Sequence, residues 1–322
     1  MKPTRRIVIP LLIGLWGAGL EVRPGIALAQ QAAPTVVPDR PSPSQDTAPG
    51  PVQDSSTGAQ AVLEQAIMAV ESLRSVSAQI RQRVDLLDNQ LVGLGTYLEQ
   101  RSAKGLELRL ELGFQLGEDN KSSLTQVCSG QYLWVCRDKD PPRRIDLARV
   151  AKAIGERGGF ARPGKIGSWP GLGGLPKLLR GLHANFDFTF IEETRLDNQL
   201  PAYRLQGDWK QEKLSKILAD RQGAFLAGTP VDLDRLPQHL PHYVVLYLEK
   251  HGLFLRRIEY WRHPSAKMQE QGTQKDRTIV SMDLFDVVLN APINPARFHF
   301  DPGDAKPIDQ TNAFLEEMGL KE

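Results

Sequence analysis

The pattern of apolar positions changes period along the chain, and each change predicts a new element. Over residues 60–74 apolar side chains recur every three or four positions, which is typical of an amphipathic helix with one buried face. The period then becomes two over residues 76–86, where apolar residues alternate with polar and charged ones. This pattern indicates a first strand, and a second strand is predicted over residues 91–100.

The third predicted strand has the clearest pattern in the sequence. Over residues 106–116 every second residue is leucine or phenylalanine, and most positions between them are charged or polar. Each apolar side chain stabilises the fold by roughly 1.5–3 kcal/mol when buried, so either the core or a bound apolar ligand must cover this face. An ordinary dry core is the alternative to a ligand-binding wall. The candidate wall residues are Leu106, Leu108, Leu110, Leu112 and Phe114.

A hairpin is predicted next, with strands over 122–128 and 131–137 and a turn at Ser129-Gly130. Helical patterns then return between residues 145 and 182. Glycines and prolines interrupt the helical stretches over residues 158–174. Such a segment stabilises itself poorly and has the character of a lid. A permanently docked helix is the alternative. The candidate lid residues are Leu172, Leu175, Leu178, Leu179 and Leu182.

Strand patterns continue to the end of the chain. They cover residues 186–195, 202–209, 243–249, 253–261 and 279–289, with a short helix predicted over 211–222. The chain therefore has about nine or ten strands, mostly in hairpin order, and few helices. We predict an α+β protein with one large curved antiparallel sheet, since a twisted sheet of that size tends to curl.

Two segments precede the predicted domain. Basic residues at positions 2, 5 and 6, an apolar run over 7–20 and small residues at 27–29 form the pattern of a cleavable signal peptide, residues 1–29. The apolar run is shorter than the roughly 20 residues that cross a bilayer. Residues 30–57 are rich in proline and serine and predict a disordered tether. Residues 58–322 are expected to form a single domain.

The charge and the cysteines narrow the possible partners and bonds. The predicted signal peptide carries four basic residues and one acidic residue, so without it the formal net charge falls from +2 to −1. No sustained basic stripe with aromatic residues follows, which excludes nucleic acid as a partner. An oxidising compartment would favour a disulfide between Cys128 and Cys136. The predicted hairpin turn, however, places them further apart than the roughly 7 Å between Cα atoms that a bridge allows. We therefore predict two buried free thiols.

The sequence offers no recognised catalytic or metal-binding motif. His239 and His242 lie three residues apart, but Pro241 prevents the helical spacing that would aim both at one ion. Ser168 lacks both glycines of a nucleophile elbow, and no HExxH or Walker sequence occurs. We therefore predict no metal, no cofactor and no enzymatic activity.

Five segments carry a resemblance to a known family. They are residues 106–110 (LELRL), 126–134 (QVCSGQYLW), 144–150 (RIDLARV) and 298–302 (FHFDP) ahead of 309–311 (DQT). Together they resemble the periplasmic lipoprotein carriers of the LolA/LolB type, in the group of outer-membrane lipoprotein-sorting proteins, and are most similar to planctomycete-type members. The resemblance implies an incomplete, half-open β-barrel over residues 60–315, whose concave apolar face is plugged by helices and accepts acyl chains. Envelope-stress sensors share this scaffold, so the fold does not identify the cargo.

Three hypotheses of function follow. The first is a monomeric periplasmic carrier, chaperone or sensor that shields the acyl chains of a lipid or lipoprotein and meets a membrane partner complex. The second is a non-catalytic envelope interaction or regulatory module whose interior is packed. The third is a lipid-acting enzyme, which would need a polar constellation inside an apolar cavity.

Overall fold

The computed structural model describes residues 55–86, 89–102, 105–116, 120–138, 140–156, 173–218, 233–264 and 275–317. Within these ranges the chain forms one twelve-stranded sheet and five α-helices. The strands are β1 Ser75–Leu86, β2 Asn89–Ser102, β3 Gly105–Leu116, β4 Asn120–Ser129, β5 Tyr132–Arg137, β6 Arg143–Asp146, β7 Phe186–Arg195, β8 Pro201–Trp209, β9 Tyr243–Glu249, β10 Leu255–Arg262, β11 Arg277–Leu289 and β12 Ile308–Asp309. The helices are α1 Ser55–Ser72, α2 Leu147–Glu156, α3 Gly174–Asn185, α4 Gln211–Ile217 and α5 Thr311–Glu317.

The strands follow the spatial order β12-β6-β5-β4-β3-β2-β1-β11-β10-β9-β8-β7. Neighbouring strands are antiparallel throughout this order, except that β12 runs parallel to β6. The edge strands β7 and β12 do not pair with each other in the described part of the chain, so the sheet is an incomplete barrel. The predicted fold class, a large antiparallel sheet forming a half-open barrel with few helices, is confirmed.

Every strand predicted from period two is present, and each predicted boundary lies within two residues of the observed one. The short strands β6 and β12 were not predicted. Ile145 lies in β6, so placing it in a helical stretch was wrong; it pairs with Leu133 across the ladder between β5 and β6, where both side chains are buried. Four residues are too few to show a period of two, and the helix α2 begins directly after them.

The inner face of the sheet is the face on which α1 and α3 pack. It carries buried residues from both halves of the strand order, such as Ile80, Tyr97, Leu110, Leu205 and Leu246. Apart from Tyr97, which also hydrogen-bonds, these side chains are apolar, and all of them belong to one continuous core with the buried residues of α1 and α3. A single core therefore lies inside the bend of the sheet.

The position of α3 indicates how strongly the sheet bends. The first turn of α3 contacts Glu99 on β2, and the last residue, Asn185, is followed directly by Phe186 at the start of β7. In the strand order β2 and β7 are six strand spacings apart, which in a flat sheet is about 29 Å at ~4.8 Å per spacing. A twelve-residue helix is only about 18 Å long. The sheet must therefore curve around α3.

The strands β2 and β3 approach each other closely at one position. Gly95 pairs with Leu112, and a Cβ atom at Gly95 would overlap the backbone carbonyl of Glu111. The nearby Gly113 on β3 is different, because a Cβ atom there would lie 3.8 Å from the carbonyl oxygen of Leu94, an ordinary contact. Only the first of these two glycines is required by packing.

The segment after β11 crosses the outer face of the sheet. Arg109 on β3 donates a hydrogen bond from Nη1 to the carbonyl oxygen of Arg297 at 3.1 Å. Phe298 is buried, and the ring of Phe300 lies 5.1 Å from that of Trp134. The FHFDP segment that contributed to the family resemblance is thus a strap that holds the outer face.

The two edges of the sheet are protected in different ways. The edge beside β6 is covered by β12, which is only two residues long. At the opposite edge, β7 has exposed Asp187, Glu192 and Glu193, and Glu193 forms an ion pair with Lys250 at 2.6 Å. Short strands and charged side chains both discourage the addition of further strands.

We expect Gly95→Ala to destabilise the protein by about 1–3 kcal/mol, because the new methyl group has to push apart two paired backbones. The matched control is Gly113→Ala, which should leave stability unchanged or raise it by up to about 1 kcal/mol, since alanine loses less chain entropy on folding. Urea unfolding followed by circular dichroism measures both. Equal urea midpoints for the two variants would contradict the close approach of the two backbones at Gly95.

Candidate ligand-binding site

The candidate wall on β3 lies on the inner face. Leu108, Leu110, Leu112 and Phe114 are each at most 3% exposed, whereas Leu106 is half-buried at the start of the strand. The wall continues sideways, because Leu112 pairs with Leu124 on β4. The sequence pattern therefore identified a real apolar surface, and in this structure protein covers it.

The candidate lid corresponds largely to α3. Leu175, Leu178, Leu179 and Leu182 are all buried in the core inside the sheet. Leu172 and most of the glycine-rich segment before it lie outside the described residues. The four leucines share one side of the helix, and α3 packs on α1 and β7.

The N-terminus of α3 is held by a polar contact that sequence reasoning missed. The backbone N–H of Leu175 donates to the Tyr97 hydroxyl oxygen at 3.2 Å and to Glu99 Oε2 at 3.0 Å, and the Tyr97 hydroxyl donates to the same carboxylate oxygen. Gly174 has φ +65°, and a Cβ atom there would overlap the Glu99 carboxylate. A carboxylate at a helix N-terminus satisfies free N–H groups and interacts favourably with the helix dipole.

Burial controls the chemistry of this contact. Desolvation raises the pKa of the Glu99 carboxyl above its usual range, although the hydrogen bonds from Tyr97 and Leu175 act in the opposite direction. Desolvation, together with the adjacent Glu99, also raises the pKa of the Tyr97 hydroxyl well above its usual value. The only sequence signal for this site was a tyrosine and a glutamate at inward positions of β2, and nothing local indicates what they would contact.

Surface groups join α3 to α1. Arg180 donates from Nε and Nη2 to the two carboxylate oxygens of Glu71 at 2.5 and 2.7 Å. This hydrogen-bonded arginine lowers the pKa of Glu71. His183 contacts Gln60 and lies 3.4 Å from the Glu64 carboxylate. Because Arg180 is mostly exposed, its ion pair contributes only about 0–1 kcal/mol.

Two glutamines on the inner face each have an amide oxygen that the described residues leave without a hydrogen-bond partner. Gln82 on β1 and Gln126 on β4 are 2% and 5% exposed, and neither Oε1 atom accepts a hydrogen bond within the described structure. Leaving a buried acceptor unpaired costs about 1–3 kcal/mol. Sequence reasoning missed both, because a single polar residue in a strand gives no sign of its partners.

The two cysteines lie on opposite faces of the sheet. Cys128 faces inward beside Leu108, whereas Cys136 pairs with Thr125 and faces outward. Both thiols are free, as predicted, although Cys136 is half-buried and not fully buried. Burial raises the pKa of both thiols.

The histidine pair is divided between two environments. His239 is exposed, whereas His242 is buried and accepts a hydrogen bond from the backbone N–H of His263 at 3.2 Å. Burial, with the nearby charge of Arg262, lowers the pKa of His242 to about 4. The neighbouring Asp276 binds His263 Nδ1 at 2.9 Å. Among the described ranges no three histidine, cysteine or acidic side chains are grouped to hold a metal ion.

Comparisons with known proteins find matches by structure but not by sequence. No protein-family model matches the chain, and no curated protein matches it. Solved structures do match: LprF from Mycobacterium bovis is 13% identical with a TM-score of 0.38, covering 75% of this chain and 97% of that one. Mycobacterium tuberculosis lipoprotein LppX is 12% identical with a TM-score of 0.35, covering 74% and 98%.

A putative outer membrane lipoprotein-sorting protein domain from Vibrio parahaemolyticus is also similar. It is 8% identical with a TM-score of 0.32, and the match covers 76% of this chain and 97% of that one. In the described ranges no helix is both long and apolar enough to span a membrane. Any function therefore has to be argued from the residues of this chain.

The buried His242 predicts a pH-dependent stability. Its folded pKa of about 4 lies below the unfolded value of 6.5, so its contribution is complete above pH 6.5 and is lost as the pH falls towards 4. The loss is at most about 3 kcal/mol, at ~1.4 kcal/mol per pKa unit. His242→Phe should flatten the fall in unfolding free energy between pH 7.5 and 4.5. His251→Phe, at an exposed turn, should keep the wild-type slope; identical slopes for His242→Phe and wild type would contradict the assignment.

Proposed function

We propose that this protein binds the acyl chains of a lipid or lipoprotein inside its half-barrel, as a non-catalytic carrier or sensor in the periplasm. One observation carries the proposal. The helix α3 fills the inside of the bend with four buried leucine side chains. A half-barrel that surrounds one apolar helix can surround another apolar body of similar width. The helix then acts as a plug that the guest replaces.

The energies of the two occupants are comparable. Burying the four leucines of α3 stabilises the closed state by roughly 6–12 kcal/mol, whereas about 15 methylene groups of an acyl chain contribute roughly 12 kcal/mol at ~0.8 kcal/mol each. Exchange of one occupant for the other is therefore close to balanced. A close balance is what a carrier needs, since it must both accept and release its cargo.

The polar attachments of α3 include the contacts of His183 with Gln60 and Glu64 and two others. At its N-terminus the Leu175 N–H binds Tyr97 and Glu99, and on the surface Arg180 pairs with Glu71. A hydrogen bond to a charged group contributes about 1.5–3 kcal/mol, and an exposed ion pair contributes less than about 1 kcal/mol. These contacts position the helix without fixing it irreversibly.

Several finer assignments belong to the same proposal. Export by the signal peptide and the planctomycete-type resemblance are supported by the sequence patterns alone, and a membrane partner complex follows only from the proposed carrier role. The wall residues on β3 are proposed to contact the guest when it is bound and the leucines of α3 when the protein is empty. A packed regulatory module is the competing function.

Lipid content distinguishes the two. We expect the full chain, purified without detergent, to carry acyl-chain molecules detectable by mass spectrometry after solvent extraction. After delipidation it should bind a fluorescent fatty-acid probe with one site per chain. A delipidated protein that remains folded and takes up no probe would support the packed module instead.

Weakening the docking of α3 should favour the guest. In Gly174→Ala the new Cβ meets the Glu99 carboxylate, and the positive φ becomes strained, so the closed state alone is destabilised. We expect the affinity for the probe to rise several-fold. The matched control is Gly252→Ala, which has φ +86° and no neighbouring atom within 4 Å, in the turn before β10. If both variants bind the probe like wild type, α3 is permanently docked.

A further inference from the structure

Gln82 is a polar residue placed near the middle of an apolar surface. It lies on β1, near the centre of the strand order, and its inward neighbours along the strand, Ile80 and Val84, are buried. Its Oε1 atom accepts no hydrogen bond from the described part of the chain. A methionine or leucine would fill this position without leaving an acceptor unpaired. The amide therefore points to a partner that these described residues do not supply.

The neighbours of Gln82 across the strands can make room for such a partner. Gln82 pairs with Gly93 on β2 and Met282 on β11. The ring of Phe114 lies over Gly93, in the space that a side chain would otherwise occupy. Rotation of this ring would open a gap directly beside the amide. Met282 is unbranched and adapts easily to a changed neighbour.

Gln126 has the same unpaired atom but a less favourable position. It lies three strands away on β4, between Leu110 and Val135. Both neighbours are branched side chains, and neither of these two paired positions is a glycine. The geometry around Gln82 is therefore better suited to a guest.

We propose that Gln82 accepts a hydrogen bond from the guest, which is therefore an amphiphile bearing a hydroxyl or amide N–H group and not a plain hydrocarbon chain. This inference rests on the proposed function, because the guest must first replace α3. A hydroxyl or amide donor satisfies the unpaired Oε1 atom. Ester and ether oxygens are acceptors only and leave it unpaired, so they bind more weakly at this position.

Matched ligands test the donor directly. The first pair is a monoacylglycerol and its dimethyl ether, and the second is a primary fatty amide and its N,N-dimethyl derivative, all with the same chain. Dissociation constants come from displacement of the fatty-acid probe from the delipidated full chain. Wild type should prefer at least one donor-bearing ligand by about tenfold, equivalent to about 1.4 kcal/mol. The pair that shows the preference identifies the donor as hydroxyl or amide.

Three variants locate the acceptor. Gln82→Met should abolish the preference while still binding the capped ligands, which demonstrates an intact interior. Gln79→Met, an exposed position on the outer face of the same strand, and Gln126→Met should both keep the preference.

The outcomes separate the two proposals. No preference in wild type, a preference that survives Gln82→Met, or a loss caused by Gln126→Met would overturn the assignment to Gln82 while leaving acyl binding in place. If the delipidated wild type takes up neither the fatty-acid probe nor any of the four ligands, the proposed function fails as well.

Discussion

The structure depends on keeping water from the concave side of one sheet. Eleven of the twelve strands present apolar side chains to the same side, and the described structure has no second sheet to cover them. The sheet bends around α3 and so buries them. The helix reaches from its contact on β2 to the start of β7, although it is shorter than the distance between these two strands in a flat sheet. Wall, helix and curvature are therefore one arrangement, and the leucines of α3 matter because they fill the space that the curvature creates.

Much of this arrangement follows from periodicity. The alternation on β3 identified its inward residues, and the leucine spacing over residues 175–182 identified the buried side of α3. These predictions succeeded because alternation and helical spacing are local properties that a sheet or helix imposes on every buried element. The boundaries were also close, because glycine, proline and polar turns end most strands.

The predictions failed where a contact is long-range or an element is short. Tyr97 and Glu99 are ordinary strand residues until the chain returns about 76 positions later and places Leu175 beside them. The unpaired atom of Gln82 depends on the identity of both cross-strand neighbours. The need for glycine at position 95 depends on the register between β2 and β3, which places the Glu111 carbonyl beside it. Ile145 was misplaced because four residues of β6 cannot reveal their period.

The unequal edges of the sheet have a consequence for how the protein behaves at high concentration. A half-barrel with two bare edges would be a template for stacking copies into ladders through backbone pairing. Here the β12 cap occupies one edge with two residues, and charged side chains on β7, such as Glu193 in its ion pair with Lys250, discourage strand addition at the other. Both edges thus hinder the backbone pairing through which a neighbouring copy would extend the sheet.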